Sequence, residues 1–338
     1  AGNANVLASS SFTTGPAPDF TPPAQVSNNY TGAPVPVNAA FTTVLNEAVG
    51  PLTASQGSNS LFDFTLGTYQ NIVLSLSSDA RTVTALPSVN LVPNRTYQYC
   101  LTVRDLSGNQ FSQCPNFSTS AGADNTAPSI VVFAPANGVT GIPVNVRPTI
   151  QLDEAASPNS LTGITLTTGG NPVAASITAS NRTITIVPAQ PLAFNTAYTV
   201  SLTGVTDIAG NPLPAANFSF TTGSVADVSA PTITTFSPAN GTLNVPVNQP
   251  IAVTFNEPID PSSILNNTST STYMVTTATG IIVPVTYSFS ADLRTVTLTP
   301  VAPLNAGTQY TVRAWSPTRD ISGNAVAGSP QATFTTAP

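Results

Sequence analysis

The sequence predicts an all-β chain of three consecutive β-sandwich modules, and three observations carry that prediction. Thr- and Val-rich runs such as "RTVTLTP" and "RTITIVP" alternate with period two, and Pro and Gly punctuate them about every 8–12 residues. No stretch shows the 3.6-residue apolar spacing of an amphipathic helix. The dipeptide Gly-Asn recurs at Gly2-Asn3, Gly108-Asn109, Gly210-Asn211 and Gly323-Asn324, in steps of 106, 102 and 113 residues, each the length of one sandwich.

A linker with Asp followed by Pro keeps the same phase, as "PDFTPP" at Asp19, "ADNTAP" at Asp124 and "ADVSAP" at Asp227. The two markers place linkers at 16–23, 121–127 and 224–230 and modules at 24–120, 128–223 and 231–338. Residues 1–15, "AGNANVLASSSFTTG", repeat the text of a module's end and read as one spare last strand of a preceding module. Each module opens with "NNYTGAPVPVN", "FAPANGVTGIPVN" or "FSPANGTLNVPVN". A strand ending on Glu47, Glu154 or Glu257 follows, and after a variable middle come "SDARTVTALP", "ASNRTITIVP" and "SADLRTVTLTP". Tyr97, Tyr198 and Tyr310 then start the penultimate strand after a Pro-containing corner, where a phenol can bond back to the backbone. With Tyr inward, Tyr99, Leu101, Val200, Leu202, Val312 and Ala314 share its face. The last strand ends on Phe117, Phe220 or Phe334.

The order "SPANG…VPVN…VTFNEPID…SADLRTVTLTP…PLNAGTQYTV…DISGN…ATFTT" resembles the bacterial Ig-like domains found in S-layer and other surface proteins. The resemblance covers modules two and three throughout and module one more loosely. It implies seven-stranded Ig-like sandwiches, exported, arrayed in tandem and without catalytic activity.

Composition narrows the function. Only 7% of the 338 residues are charged, against about 25% in a usual soluble domain, so Thr, Ser, Asn and Gln must make the surface. That suits an extracellular or cell-surface location. The basic residues are all Arg, with no Lys and no His, and the formal charge is −6. A nucleic-acid partner is thereby disfavoured, and His-centred catalysis or metal binding is excluded. No apolar run approaches the roughly 20 residues of a membrane span.

Cys100 and Cys114 are the two cysteines. A hairpin centred at Ser107-Gly108 sets them opposite each other at outward parity, so a disulfide is expected, worth about 3 kcal/mol or less for so short a loop. The repeated acids raise a calcium hypothesis: linker Asp19, Asp124 and Asp227, strand-end Glu47, Glu154 and Glu257, and Asp105, Asp207 and Asp320 before the Gly-Asn turns. Oxygen ligands gathered at module joints suit Ca²⁺. Against this, the Asp residues can initiate Asx turns and the Glu residues can pair with Arg81, Arg182 or Arg294; no other cofactor is expected. Sequons stand at Asn29, Asn94, Asn116, Asn181, Asn217, Asn240, Asn266 and Asn267, a weak signal in a chain so rich in Asn, Ser and Thr. Trp315 takes outward parity beside Arg313, as a cover for the sandwich end, an interface anchor or a sugar platform.

These features predict a non-enzymatic structural component of a surface or extracellular assembly: filament, sheath, stalk or surface layer. Short Pro-containing linkers favour an extended rod of roughly 100–130 Å, from about 3.3 Å of rise per strand residue. The alternatives are an adhesin or carbohydrate-binding stalk region, and the accessory region of an enzyme. The spare strand, closing on Phe12, leaves two accounts open. Either the chain is a section of a longer array, or the strand completes a sheet in a neighbouring subunit and drives self-association.

Overall fold

The computed structural model describes residues 18–31, 34–50, 52, 58–265, 274–314 and 318–338. The spare strand at 1–15 with Phe12, Trp315, and the sequons Asn266 and Asn267 lie outside the described residues.

Three sandwiches follow one another. In module two one sheet orders Ile130–Ala134, Thr149–Leu152, Thr183–Pro188 and Ala175–Ser180. The other orders Val139–Ile142, Ala216–Thr222, Ala197–Leu202, Ile164–Thr168 and Asn171–Pro172. Modules one and three repeat this plan, the first sheet running from Gln25–Asn28 and from Ile233–Ser237 respectively. The seven strands implied by the resemblance are exceeded: nine are described in modules one and two and eight in module three. Part of the excess has a local cause. In modules two and three the opening strand breaks at "PANG", where Pro removes a ladder donor and Gly138 and Gly241 take φ of 78° and 81°. The second half then crosses to the other sheet and pairs parallel to the last strand, Val139 beside Phe220 and Thr242 beside Phe334.

Period-two alternation puts one face of each strand into a core. Phe41–Leu45 and Ile251–Phe255 alternate buried and half-buried side chains along their length. The predicted inward set of the penultimate strands, Tyr99, Leu101, Val200, Leu202, Val312 and Ala314, is at most 1% exposed.

The corner that opens this strand is built identically in each module. The Tyr97, Tyr198 and Tyr310 hydroxyls accept the backbone N–H of Val92, Ala193 and Asn305 at 3.1, 2.8 and 2.8 Å. Their rings stack on Phe117, Phe220 and Phe334 with centroids 5.7–5.8 Å apart. Two residues on, the hydroxyls of Thr119, Thr222 and Thr336 donate to the corner carbonyls of Val92, Ala193 and Asn305. The recurring "F[ST]T" ending is thus the lock of the tyrosine corner: ring against ring, hydroxyl to backbone.

Candidate functional site

The residues that recur most faithfully meet at the module ends. Each begins with a turn. Gly108, Gly210 and Gly323 hold φ of 92°, 97° and 95°, a conformation that favours glycine. The preceding Asp closes the turn around it. Asp105 Oδ1 accepts the N–H of Ser107 and Asn109, and Oδ2 accepts the Asn109 side-chain amide. Asp207 and Asp320 do the same with Asn211 and Asn324. That Asn then reaches the linker: Asn109, Asn211 and Asn324 each donate to the backbone carbonyl of Asp19, Asp124 and Asp227 at 3.2 Å.

The preceding module grips the same linker residue. Asn38, from "VPVN", donates to the Asp124 carbonyl at 2.7 Å and accepts the Asp124 N–H at 3.0 Å. Asn145 repeats both bonds with Asp227 at 2.6 and 2.8 Å. One peptide carbonyl therefore takes two amide donors, one from each module. The five-residue turn Asp-x-x-Gly-Asn and the distant "PVN" are two halves of a single staple.

Around that staple the nine predicted acids come together in threes. Asp19, Glu47 and Asp105, then Asp124, Glu154 and Asp207, then Asp227, Glu257 and Asp320 each bring one carboxylate oxygen within 4.8 Å of the others. The Asx turns expected of the linker Asp residues are present, with Oδ1 of Asp19, Asp124 and Asp227 accepting the N–H of Thr21, Thr126 and Ser229. The alternative Glu–Arg pairing is not made: among the described residues the one ion pair is Arg95 with Asp63, at 3.1 Å. Each Glu instead faces two Asp residues. Burial first, then the neighbouring Asp124 and Asp207, pushes Glu154 up to about 7. Burial, then Asp227 and Asp320, pushes Glu257 up to about 8. Glu47 is raised for the same reasons, through burial, Asp19 and Asp105. Burial acts the same way on the linker Asp124, but its bonds from Thr126 and its contact with Glu154 outweigh it and hold Asp124 below the ordinary range.

An apolar plug seals the covered joints. Ile321, in the turn of module three, is 3% exposed and belongs to the core cluster of module two, as does Leu293. Its module-two counterpart Ile208 packs against the core of module one. The remaining contacts differ between the two joints. Thr149 donates to Asp260 at 2.8 Å across the second joint. Asn159 donates to Thr42, and Ser27 to Asn159 at 2.5 Å, across the first.

Of the other predicted residues, Cys100 and Cys114 form the disulfide. The ladder Leu101–Gln113, Thr102–Ser112 sets them opposite each other, as the hairpin register requires. Asn29 is corrected as a glycosylation candidate: it is 7% exposed and its amide is bonded to Ala40 and Thr42. Asn94, Asn116, Asn181, Asn217 and Asn240 are exposed.

Sequence reading missed one surface feature in the variable middle of module one. Phe62 meets Phe64 and Tyr69 edge-on, centroids 5.3 and 5.1 Å apart, and both neighbours are exposed. The same sheet row continues through Gln98 to Asn116, joined by a 3.0 Å bond. In the sister modules that row is Thr167, Thr199 and Ser219, and Thr276, Thr311 and Thr333. Comparing the modules row by row after aligning their Tyr residues would have exposed the difference.

Two-sheet sandwiches with tyrosine corners, stapled end to end through one recurring linker, define a tandem Ig-like array. The family model of the bacterial Ig-like domain matches residues 13–119, 124–222 and 227–336, and the chain belongs to that family. No curated protein matches the sequence. Among solved structures, the S-layer protein rSbsC(31-844) is 11% identical with a TM-score of 0.24, over 93% of this chain and 54% of that one. The chain thus spans about half the length of that protein. Sidekick-1 immunoglobulin domains 1–4 are 12% identical with a TM-score of 0.19, over 93% of this chain and 76% of that one. SGBP-B of a Bacteroides ovatus mixed-linkage glucan utilization locus, in complex with a mixed-linkage heptasaccharide, is 15% identical. Its TM-score is 0.18, over 94% of this chain and 71% of that one. Among the described residues no helix is long and apolar enough to cross a membrane.

Proposed function

We propose that the chain is a non-enzymatic structural rod segment of a cell-surface or extracellular assembly, its joints tightened by a hard divalent cation such as Ca²⁺. The observation that supports this reading is the double grip on Asp124 and Asp227. Each linker carbonyl is held from both modules, which fixes the angle between neighbours instead of leaving a hinge. A low-charge Thr- and Ser-rich surface suits lateral packing in such an assembly, since few ions must be desolvated.

The acid trios suit a cation by the chemistry of their donors. All three groups offer oxygen, which Ca²⁺ prefers. Glu257 Oε1 is buried and has no hydrogen-bond partner, so that oxygen is available to a ligand. A bound cation would offset the burial and the repulsion that raise Glu154 and Glu257 and hold strand end, turn and linker to one point.

Small-angle scattering tests the rod: a maximum dimension of roughly 100–130 Å, from the strand rise, with one narrow cross-section supports it, and a broad distribution of bent shapes overturns it. Thermal melting at pH 8 with chelator and with Ca²⁺ tests the cation. A higher midpoint with Ca²⁺ is expected, and an unchanged one removes the cation from the reading without touching the rod.

The aromatic row of module one favours a second reading, a carbohydrate-binding stalk. Phe64 and Tyr69 offer exposed rings for stacking and Gln98 and Asn116 offer amides to hydroxyls along the same row of the sheet. Retention on polysaccharide that is lost in Tyr69→Ala would support it; equal retention of the variant would reject it.

A further inference from the structure

The aromatic row and the disulfide of module one lie on one face of one sheet. Phe62 stands between Tyr69 and Gln98, and Gln98 stands beside Asn116. The row thus places one side chain on each of four adjacent strands, Thr68–Gln70, Ser60–Asp63, Thr96–Arg104 and Asn116–Ser118. On the same face, Phe64, Thr96 and Ser118 flank the row on one side and Ser60, Cys100 and Cys114 on the other. No charged residue stands in the row or in its flanks. The cysteines occur in module one alone, and the sister modules carry only Thr or Ser at the Phe62, Gln98 and Asn116 positions.

The disulfide sits where the last strand is interrupted. That strand runs unbroken over Ala216–Thr222 and Gln331–Thr336 in modules two and three, but in module one it splits into Gln110–Gln113 and Asn116–Ser118. Pro115 accounts for the split: its carbonyl accepts the Tyr99 N–H at 3.1 Å, and it has no N–H with which to return the bond. The register still continues across the gap, Leu101 opposite Gln113 and Gln98 opposite Asn116, and Cys100–Cys114 is the covalent rung between them. The sister modules have Ser201 beside Asn217 and Arg313 beside Gln331 at that rung. The disulfide therefore fixes Asn116 next to Gln98. The 3.0 Å bond from the Gln98 amide to Asn116 Oδ1 leaves the Asn116 N–H donors for a ligand.

We propose that module one binds a neutral, extended β-linked glycan of about three sugar units, laid across the strands from Tyr69 to Asn116, with the disulfide positioning the Asn116 end. This rests on the carbohydrate-binding reading and adds the ligand class, its length and a role for the disulfide. Three strand spacings of about 4.8 Å give roughly 14 Å along the row, and one unit of an extended β-linked chain advances by about one such spacing. Equatorial linkages keep successive rings in line with the row, whereas axial ones turn the chain away from it. Tyr69 and Phe64 take the faces of the sugars and Asn116 takes a hydroxyl. The ligand is neutral because an anionic sugar would lose hydration with no free cation to receive it. Of the two Arg residues on this long strand, Arg95 is paired with Asp63, and Arg104 is bonded to Gly108 and Gln110.

Calorimetric titration of the whole chain with β-1,4-linked oligomers of glucose, xylose and N-acetylglucosamine, two to six units long, tests it, with oligogalacturonates as the anionic control. Affinity in at least one neutral series should rise up to three units and then level, and the control should not bind. Asn116→Ala should weaken binding about tenfold, as loss of a hydrogen bond does. Replacing both Cys100 and Cys114 by Ser should weaken it by a similar factor, and adding Asn116→Ala to that variant should change little more. Such non-additivity marks positioning; additive losses would overturn the role of the disulfide. Affinity that climbs through six units, that survives Asn116→Ala, or that extends to the control overturns the proposal and leaves the carbohydrate reading standing. So does an intact mass showing a glycan attached to Asn116. Concentration-dependent self-association that Tyr69→Ala abolishes would assign the row to a protein contact and overturn it too. Absence of binding in every neutral series also overturns it, and if retention on polysaccharide is absent as well, the carbohydrate reading falls with it.

Discussion

The joint between modules one and two and the joint between modules two and three share a staple but are sealed by different means. At the first, Ile208 is only half-buried and clefts lie on either side of it, one lined by Ser27, Pro158 and Asn181, the other by Pro36, Gly122 and Glu154. At the second, Ile321 and Leu293 enter the core of the preceding module. Leu293 does so with φ of 58°, a left-handed backbone unfavourable for a side chain with a Cβ by about 1–2 kcal/mol. The equivalent residue at the first joint is Asn181, φ 54° and exposed, which tolerates that conformation. A branched apolar residue holds an unfavourable backbone where burial compensates it, and a polar one sits there where it does not. The staple sets the geometry; the plug sets the strength.

Breaking the plugs should produce the largest contrast. Ile321→Ala should destabilise by about 2–5 kcal/mol, in the range of buried large-to-small changes. In calorimetry it should separate the melting of module three from that of module two. Ile208→Ala, at a half-buried site, should stay under about 1.5 kcal/mol; equal effects would erase the distinction between the joints. Next comes the staple itself. Asn38→Ala and Asn145→Ala should each remove about 1 kcal/mol and widen the spread of inter-module angles in scattering by similar amounts. A change at only one of them would show that the staple is not the shared element. Leu293→Asn trades backbone relief of about 1–2 kcal/mol against lost burial of about 1.5–3 kcal/mol. A net loss of about 1 kcal/mol in denaturant melts is expected, and a gain would place Leu293 outside the seal.

The smallest effect is electrostatic and its sign is fixed by the raised carboxyls. Glu154 and Glu257 bind protons more tightly folded than unfolded, so the folded chain holds more protons between the ordinary Glu range and about 7 to 8. Stability is then highest below the unfolded pKa and falls as pH rises through the folded one. In chelator the melting midpoint should drop between pH 5 and 8.5. Glu154→Gln should remove the part of the drop that is complete by about 7 and Glu257→Gln the part that continues to about 8, read from melts across pH. A midpoint that climbs over that interval would contradict the crowding of three carboxylates.

What was legible in the sequence is what repeats. Tyr97, Tyr198 and Tyr310, the Gly-Asn turns and the nine acids stand at matching positions, so one physical role explains three occurrences. The staple was half visible: "VPVN" was a marker with no assigned partner, because its amide acts on a residue 86 positions away. The plugs were hidden inside the turn motif, since nothing in "DIAGN" or "DISGN" says whether its Ile faces water or a neighbour. Leu293 was hidden because "ADLR" gives no sign of a left-handed residue. The Phe62, Phe64 and Tyr69 row lies in the variable middle, where no repeated text marks the register, so its counterparts Thr167 and Thr276 emerge only once the modules are aligned on their Tyr residues. The opening-strand break could have been read from Pro and Gly in "PANG", but two half-strands in different sheets resemble one long strand with a kink.

Module two carries both halves of its joint, Asn145 gripping the linker at one end and Asp124 gripped at the other. A gene segment encoding one module therefore brings its own connection. Duplicating it by unequal recombination yields a longer rod with a working joint at each seam, with no compensating change elsewhere. Length becomes a property that can evolve in whole steps of one module, while the plug residues, which differ from seam to seam, remain free to set where along the rod it yields first.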